Sequence, residues 1–324
     1  MAVSGLFAIP GTNTSIEFVY QLPKVSIPRG LVLLAHGCRQ SPRVWFGEST
    51  TCIACIPRPE ERCLAARLIE SRYALLAVGN LKGSKACWET NDVPIVSALL
   101  KSWRRQHEHR VPKRAPLFLL GPSSGGFFAA HAARTWPEIR GLSIQVSVPS
   151  VEDIDAAVRT HGAFPPTQLV LMPKDSGKLK EAERLRASFR PPDALEVVVT
   201  SPLAVHPLFF SDGIPGLAPS LSAAVRQRLI AAGHIDGRTS IILKHPSRGA
   251  WRDPVRQALE SGAGTSATRR AGLPQGSLQL TMDAIFARLD LAYAYHASTC
   301  EVANQTLAFF ARADGAGAHR ERRR

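Results

Sequence analysis

The chain has 324 residues, 45% of them hydrophobic, which is enough for one large domain with an insertion or for two small domains. It carries 40 Lys and Arg against 26 Asp and Glu, a formal charge of +14 at pH 7. Apart from a cluster at Lys101–Arg114 and a terminal HRERRR, the positive charge is scattered. The sequence shows no basic face with interleaved aromatic residues, so it gives no indication of nucleic-acid binding. Diffuse positive charge still attracts anionic substrates or membrane surfaces weakly.

No apolar run in the sequence is long enough to form a membrane-spanning helix. The N-terminal stretch MAVSGLFAIPG lacks the positive flank and the long apolar segment of a secretory signal. We therefore expect a soluble intracellular protein, cytoplasmic by default, with no stable membrane insertion. The oligomeric state is open. Residues 315–324 are expected to form a disordered basic tail.

Six cysteines occur, at Cys38, Cys52, Cys55, Cys63, Cys87 and Cys300. The CxxC spacing of Cys52 and Cys55 is typical of a redox motif or of half a zinc site, but no second pair completes a zinc site. The pattern favours free structural thiols over disulfides, and disulfides over zinc. A redox role for Cys52 and Cys55 is a minor alternative.

Short apolar runs alternate with helical periodicity over the first two hundred residues. Strands separated by helices of about 10–15 residues form βαβ units, so the fold class is α/β, with a mostly parallel central sheet and helices on both faces. The first two strands have no helix between them and suit an antiparallel entry into the sheet. The predicted strands are Ile16–Tyr20, Leu31–Ala35, Tyr73–Val78, Pro116–Leu120, Leu142–Val148, Gln168–Met172 and Leu195–Thr200. The predicted helices are Pro59–Ser71, Val93–Trp103, Gly126–Arg134 and Lys178–Phe189.

An insertion at 207–290 is predicted between the last strand and the last helix, with helices at Ser220–Ala231, Arg252–Leu259 and Gln279–Ala292. The last helix is predicted to begin at Ser298, because Ser298 and Glu301 match a capping box. The expected organisation is therefore a core of residues 1–206 and 291–314, the insertion, and the tail.

Residues 121–125, GPSSG, match G-x-S-x-G in one register, with Ser123 at the centre. An apolar strand precedes the motif and an Ala-rich helix follows it, as required for a nucleophile on a tight strand-to-helix turn. The backbone N–H of Ser124 is a candidate oxyanion donor, and the Cys38 N–H, after the buried strand that ends in His-Gly, is the second. His36 is expected to shape that loop rather than to act as a base. The competing interpretation is a glycine-rich turn whose serines cap the helix.

A serine nucleophile also needs a base and an acid that orients the base. Asp175 lies just past the strand predicted at Gln168–Met172, at the carboxyl edge of the sheet, and Asp153 is the alternative acid. His206 follows the last strand, and His296 precedes the last helix. These two histidines lie at opposite ends of the insertion, and spacing does not decide between them.

Several segments spanning roughly residues 20 to 312 resemble a plant and algal group of proteins in the α/β-hydrolase superfamily. The resembling segments include AHGCRQSPRVWF, CIAC with PRPEER, KACWETND, GPSSGGFFAA, LVLMPKD, FFSDGIPGL and AYAYHASTCEVANQTLAFF. The resemblance implies the α/β-hydrolase fold, a serine-nucleophile site and a cap formed by the insertion. It also implies that the base is His296 rather than His206. One position departs from the pattern, since Ala297 stands where the family tends to have Glu.

These assignments predict a serine hydrolase that cleaves an ester, thioester or related acyl bond of a small molecule through an acyl-enzyme. Ser123 attacks, His296 transfers the proton, and Asp175 orients the imidazole, while the amides of Ser124 and Cys38 bind the oxyanion. This chemistry requires neither a metal nor an organic cofactor. The alternative is a ligand-binding or receptor protein of the same fold with little or no catalytic activity.

Overall fold

The computed structural model describes residues 1–189, 194–246, 248–262 and 278–321. Its centre is an eight-stranded sheet in the order β1-β2-β4-β3-β5-β6-β7-β8. The strands are β1 (Val3–Ala8), β2 (Ser15–Gln21), β3 (Leu31–Ala35), β4 (Ala74–Val78), β5 (Leu117–Pro122), β6 (Ile139–Gln145), β7 (Thr167–Leu171) and β8 (Leu195–Val199). From β4 to β8 every neighbouring pair is parallel, and β2 is antiparallel to both β1 and β4. The predicted mostly parallel sheet is confirmed.

Helices cover both faces of the sheet, as predicted. Helices α2 to α5 pack on one face, and α1 and α10 pack on the other. The helices are α1 (Pro59–Glu70), α2 (Asp92–Gln106), α3 (Ser124–Ala132), α4 (Val151–His161), α5 (Ser176–Leu185), α6 (Phe209–Gly213), α7 (Pro219–Ala231), α8 (Arg248–Gly262), α9 (Leu278–Tyr293) and α10 (Ala303–Glu321).

The central strands are apolar throughout because both of their faces are buried. In β3, Leu31 and Leu33 belong to the core under α2 and α3, whereas Val32 and Leu34 belong to the core under α1 and α10. Successive side chains of a strand point to opposite faces, so a strand covered on both sides reads as a continuous apolar run. The LVLLA sequence of β3 therefore fixes its central position.

Two features of the sheet differ from the sequence prediction. The edge strand β1 was not predicted, and β2 has its antiparallel partners in β1 and β4 rather than in β3. The central strand β3 is already paired on both sides, with β4 and β5. The segment that leaves β2 must therefore pass beyond β4 before it enters the sheet as β3.

The predicted start of the last helix at Ser298 was wrong, since α10 begins at Ala303. The Ser298 hydroxyl donates a hydrogen bond of 2.6 Å to Glu61 Oε1 and does not cap the helix. At its other end α10 runs to Glu321 and so includes part of the segment 315–324 expected to be disordered. Residues 322–324 lie outside the described residues.

The insertion builds an apolar core of its own. Helices α6 to α9 bury a cluster that includes Phe210, Trp251 and Ile285, and the cluster extends back to Val205. A smaller cluster of Val146, Met172, Leu291 and Ala294 joins this region to the carboxyl edge of the sheet. In the described part of the chain, no helix combines the length and the apolar character needed to cross a membrane.

The six cysteines form three disulfides, Cys38–Cys87, Cys52–Cys55 and Cys63–Cys300. The prediction of free thiols was therefore wrong. Two of the pairs are 49 and 237 residues apart in sequence, and the fold alone brings them together. Structural disulfides persist in oxidising compartments and are rare in the cytosol. These bonds consequently argue against the expected cytoplasmic location.

Removing the long-range disulfide should destabilise the fold. We predict that the double variant Cys63→Ser, Cys300→Ser loses about 2–5 kcal/mol of unfolding free energy, because the bond closes a long loop of the unfolded chain. The control is Cys52→Ser, Cys55→Ser, whose bond spans three residues of sequence and should cost less. Urea unfolding monitored by circular dichroism measures both. Equal losses in the two variants would contradict the loop-closure argument.

Candidate active site

Ser123 lies on a strained turn between β5 and α3. Its backbone has φ 53° and ψ −117°, and its N–H donates to the Gln145 carbonyl at 2.8 Å. Non-glycine residues with positive φ are uncommon, and such strain is concentrated at functional sites. The turn therefore has a strained conformation that an ordinary helix cap does not require.

Two glycines allow the turn to close. A Cβ at Gly121 would lie 2.4 Å from the carbonyl group of Gly125, and a Cβ at Gly125 would lie 2.3 Å from the Ala35 oxygen. Either contact is far below van der Waals distance, so a side chain at either position would force the backbones apart. The glycines of the motif thus bring the end of β3 against the turn that carries Ser123.

The structure brings together Ser123, His296 and Asp175, three residues predicted from separate segments. His296 Nε2 lies 3.0 Å from Ser123 Oγ, and His296 Nδ1 lies 3.2 Å from Asp175 Oδ2. A carboxylate oxygen accepts hydrogen bonds, so the ring proton is on Nδ1 and Nε2 is free to accept from the serine hydroxyl. The side chain of Asp175 is 13% exposed and that of His296 is 39% exposed.

The alternative residues make other contacts. His206 Nε2 lies 3.8 Å from Asp212 Oδ2, and its ring stands edge-on to Phe209. Asp153 is buried, and its carboxylate accepts hydrogen bonds from the Ser150 N–H and hydroxyl at the start of α4. It also lies 3.1 Å from His131 Nδ1. Among the described residues, neither side chain contacts Ser123. Of the two histidines that the sequence left open, the structure brings His296 to the serine.

The two predicted oxyanion donors belong to the start of α3 and to the loop after β3. Ser124 is the first residue of α3, and Cys38 follows β3. Within the described ranges, neither backbone N–H is used in a hydrogen bond. Both groups are therefore available to a negatively charged oxygen.

His36 orients the peptide that carries the Cys38 N–H. Its Nδ1 donates to the Gly37 carbonyl at 2.8 Å. In a planar trans peptide the C=O and the following N–H point in opposite directions, so the Cys38 N–H points away from this bond. The predicted role of His36 as a residue that shapes the loop agrees with this contact.

The loop after β3 is also held from the outside. Trp88 Nε1 donates to the His36 carbonyl at 2.8 Å, and the two rings pack with centroids 5.0 Å apart. The Arg39 N–H donates to Ala86, and the Cys38–Cys87 disulfide closes the same contact. Together these contacts restrain the loop after β3.

Burial lowers the pKa of His36 from 6.5 to about 4. The ring has no exposed surface, and its Nε2 has no partner among the described residues. The imidazole is therefore neutral at neutral pH, because protonation would place a charge in an apolar environment.

Some residues that hold the candidate site were not singled out from the sequence. Glu61 accepts the Ser298 hydroxyl, while Glu60 accepts the Cys300 N–H at 2.8 Å and forms an ion pair with Arg288. Both carboxylates are buried, at 6% exposure for Glu60 and 1% for Glu61. In the sequence they look like ordinary acidic residues in the first turn of α1.

Comparisons with known proteins find solved structures of low similarity. No family model and no curated protein matches the sequence. A dienelactone hydrolase from Anabaena variabilis has a TM-score of 0.43 and 16% identity over 62% of this chain and 86% of its own. A Pyrococcus furiosus esterase has a TM-score of 0.42 and 13% identity, over 62% of this chain and 82% of its own.

A third solved structure, a provisionally assigned dienelactone hydrolase from Klebsiella pneumoniae, has a TM-score of 0.42 and 20% identity, over 71% of this chain and 98% of its own. The sheet order and the strand-turn-helix at Ser123 decide the fold. The chain has the α/β-hydrolase fold. In this fold the triad residues follow the chain order Ser, Asp, His, and Ser123, Asp175 and His296 have that order.

The lowered pKa of His36 predicts a pH-dependent loss of stability. The His36 ring takes up a proton near pH 6.5 in the unfolded chain and near pH 4 in the folded chain. Its contribution to the free energy of unfolding is therefore present above pH 6.5 and is lost as the pH falls towards 4. The shift corresponds to about 3 kcal/mol. Unfolding free energies of wild type and His36→Gln, measured between about pH 7.5 and 4, should converge by this amount. Parallel curves would contradict a neutral, buried His36.

Proposed function

We propose that the protein is a serine hydrolase that cleaves an ester, thioester or related acyl bond of a small molecule. The main support for the proposal is the pair of hydrogen bonds that connects Ser123 Oγ to His296 and His296 to Asp175, with Ser123 on a strained turn. A serine that merely capped α3 would require neither the positive φ nor a histidine aimed at its hydroxyl, and Ser123 makes no side-chain cap bond.

In the first half of the proposed reaction, Ser123 Oγ attacks the carbonyl carbon of the substrate and His296 Nε2 takes the serine proton. The carbonyl oxygen becomes an oxyanion and accepts hydrogen bonds from the N–H groups of Ser124 and Cys38. Protonated His296 then gives its proton to the leaving group as the bond to that group breaks. The acyl group remains on Ser123.

In the second half, His296 Nε2 takes a proton from a water molecule that attacks the acyl carbon. It then gives that proton to Ser123 Oγ as the bond between the acyl carbon and Oγ breaks, which releases the acid and restores the serine. Asp175 keeps the Nδ1 tautomer and stabilises the imidazolium formed in each half. The loop after β3 is held by the Trp88 and disulfide contacts, and its His36 ring is neutral, so it offers the Cys38 N–H without reorganisation. Such electrostatic preorganisation is usually the largest contribution to catalysis.

A fluorophosphonate probe tests the nucleophile independently of the natural substrate. We expect the wild type to be labelled covalently and Ser123→Ala to remain unlabelled. The matched control is Ser124→Ala, which removes the neighbouring hydroxyl but leaves the backbone N–H in place and should still be labelled. Labelling of Ser123→Ala at the wild-type rate would refute the assignment, and a wild type that resists the probe would favour the ligand-binding alternative.

Paired substitutions test the base and the acid. We predict that His296→Ala and Asp175→Asn lower the labelling rate by about 10³-fold or more, because the serine loses its proton acceptor or the histidine loses its tautomer. His206→Ala and Asp153→Asn should stay within a few fold of wild type. Stopped-flow or gel-based labelling rates measure all four variants. A large loss in His206→Ala and none in His296→Ala would reverse the assignment of the base.

A further inference from the structure

We propose that Gln145 is a positioning residue that sets the distance between Ser123 and His296. This inference rests on the proposed function, since it concerns the geometry of the same reaction. Gln145 is the last residue of β6, beside the turn that follows β5, and it belongs to none of the sequence motifs described above. Among the described residues, Gln145 is the one that forms hydrogen bonds both with the turn at Ser123 and with the segment after His296.

The backbone of Gln145 holds the serine turn, and its side chain holds the histidine segment. Its carbonyl accepts the Ser123 N–H at 2.8 Å. Its side-chain Oε1 accepts the Thr299 N–H at 2.8 Å, and its Nε2 donates to the Thr299 carbonyl at 3.1 Å. Thr299 lies three residues after His296. One residue thus links the two partners of the serine–histidine hydrogen bond.

The chemistry of this link requires a primary amide. Gln145 and Thr299 are both fully buried, at 0% exposure. Loss of the link would leave a donor and an acceptor of the Thr299 backbone without partners in the buried interior, and each unpaired group is destabilising because it is cut off from water. A neutral glutamine side chain offers one acceptor and one donor side by side, and it satisfies both backbone groups at once.

The backbone after Gln145 is strained. Val146 has φ 48°, which is a true outlier for a β-branched residue, and its N–H donates to Val170. The chain therefore turns sharply as soon as β6 ends, and Gln145 remains in the sheet plane beside Ser123. Strain of this kind persists where the surroundings over-determine the conformation. The bonds of Gln145 to Ser123 and Thr299 are part of that surrounding structure.

Residues 298–300 also contact α1. Glu60, Glu61 and the Cys63–Cys300 disulfide hold residues 298–300 from the outer side. In the described structure these groups make no hydrogen bond to the turn at Ser123. They restrain the segment as a whole, whereas Gln145 ties it to the nucleophile.

The test compares Gln145→Met with a matched variant, Gln168→Met. Gln168 lies on β7, is equally buried, and uses its amide to bond Ser143, Thr306 and Glu196, away from the triad. We expect Gln145→Met to lower the maximum fluorophosphonate labelling rate about 10–100-fold, because a displacement of about 1 Å is enough to cost that much. The probe concentration that gives half the maximum rate should stay unchanged. Gln168→Met should be labelled at the wild-type rate at comparable loss of stability.

Hydrogen exchange of the segment 294–302 gives a second readout that does not depend on activity. Exchange should accelerate in Gln145→Met and remain unchanged in Gln168→Met. Equal labelling losses in the two variants, or unchanged exchange in Gln145→Met, would overturn the proposal. A wild type that resists labelling would count against the proposed function, and the exchange result would then decide the positioning role by itself.

Discussion

The whole site depends on the close approach of two backbones at Gly125, where the turn after β5 presses against the end of β3. Because no side chain separates them, the turn can hold Ser123 at positive φ and lift its hydroxyl above the edge of the sheet. Because β3 and β5 are neighbouring strands, the same approach places the loop that carries Cys38 next to the turn that carries Ser123 and Ser124. A larger residue at Gly125 would separate this turn from the end of β3.

The parallel sheet then supplies the rest of the site from its carboxyl edge. The loop after β3 carries Cys38, the turn after β5 carries Ser123, and the loop after β7 carries Asp175. Ligand sites of open α/β sheets lie at this edge, where residues far apart in sequence converge. His296 does not follow a strand; it lies just after α9, the last helix of the insertion.

Two disulfides reinforce these loops. Cys38–Cys87 secures the loop after β3, and Cys63–Cys300 secures the segment after His296. The loops that carry catalytic groups are usually the least stable parts of a fold. The two cross-links restrain both segments, and structural disulfides of this kind persist in oxidising compartments.

Much of the fold and the core of the candidate site were predictable from the sequence because their signals are local. The apolar runs of β3 and β5 gave the sheet, and GPSSG gave the position of Ser123 and of its turn. Asp175 followed from its place after a strand. The choice between His296 and His206 was not local, since an insertion separates them, and it required either the resemblance or the structure.

Other features had no local signal or a misleading one. The partners of Cys38 and Cys63 lie 49 and 237 residues away, so no spacing rule identifies them. Ser298 and Glu301 matched a capping box, but a contact across the fold with Glu61 uses the serine hydroxyl. Gln145 lay inside the strand predicted at Leu142–Val148 and had no signal of its own, because its side-chain hydrogen bonds are to Thr299, which belongs to a distant part of the chain.

The most direct measurement is a crystal structure of the protein after reaction with a phosphonate, whose tetrahedral phosphorus stands in for the carbon of the tetrahedral intermediate. We predict a bond from phosphorus to Ser123 Oγ, with one phosphonyl oxygen about 2.7–3.1 Å from the backbone nitrogens of both Ser124 and Cys38. We also expect the His296 ring to remain hydrogen-bonded to Asp175. A phosphonate attached to another residue, or an oxygen turned to solvent away from both amides, would contradict this prediction.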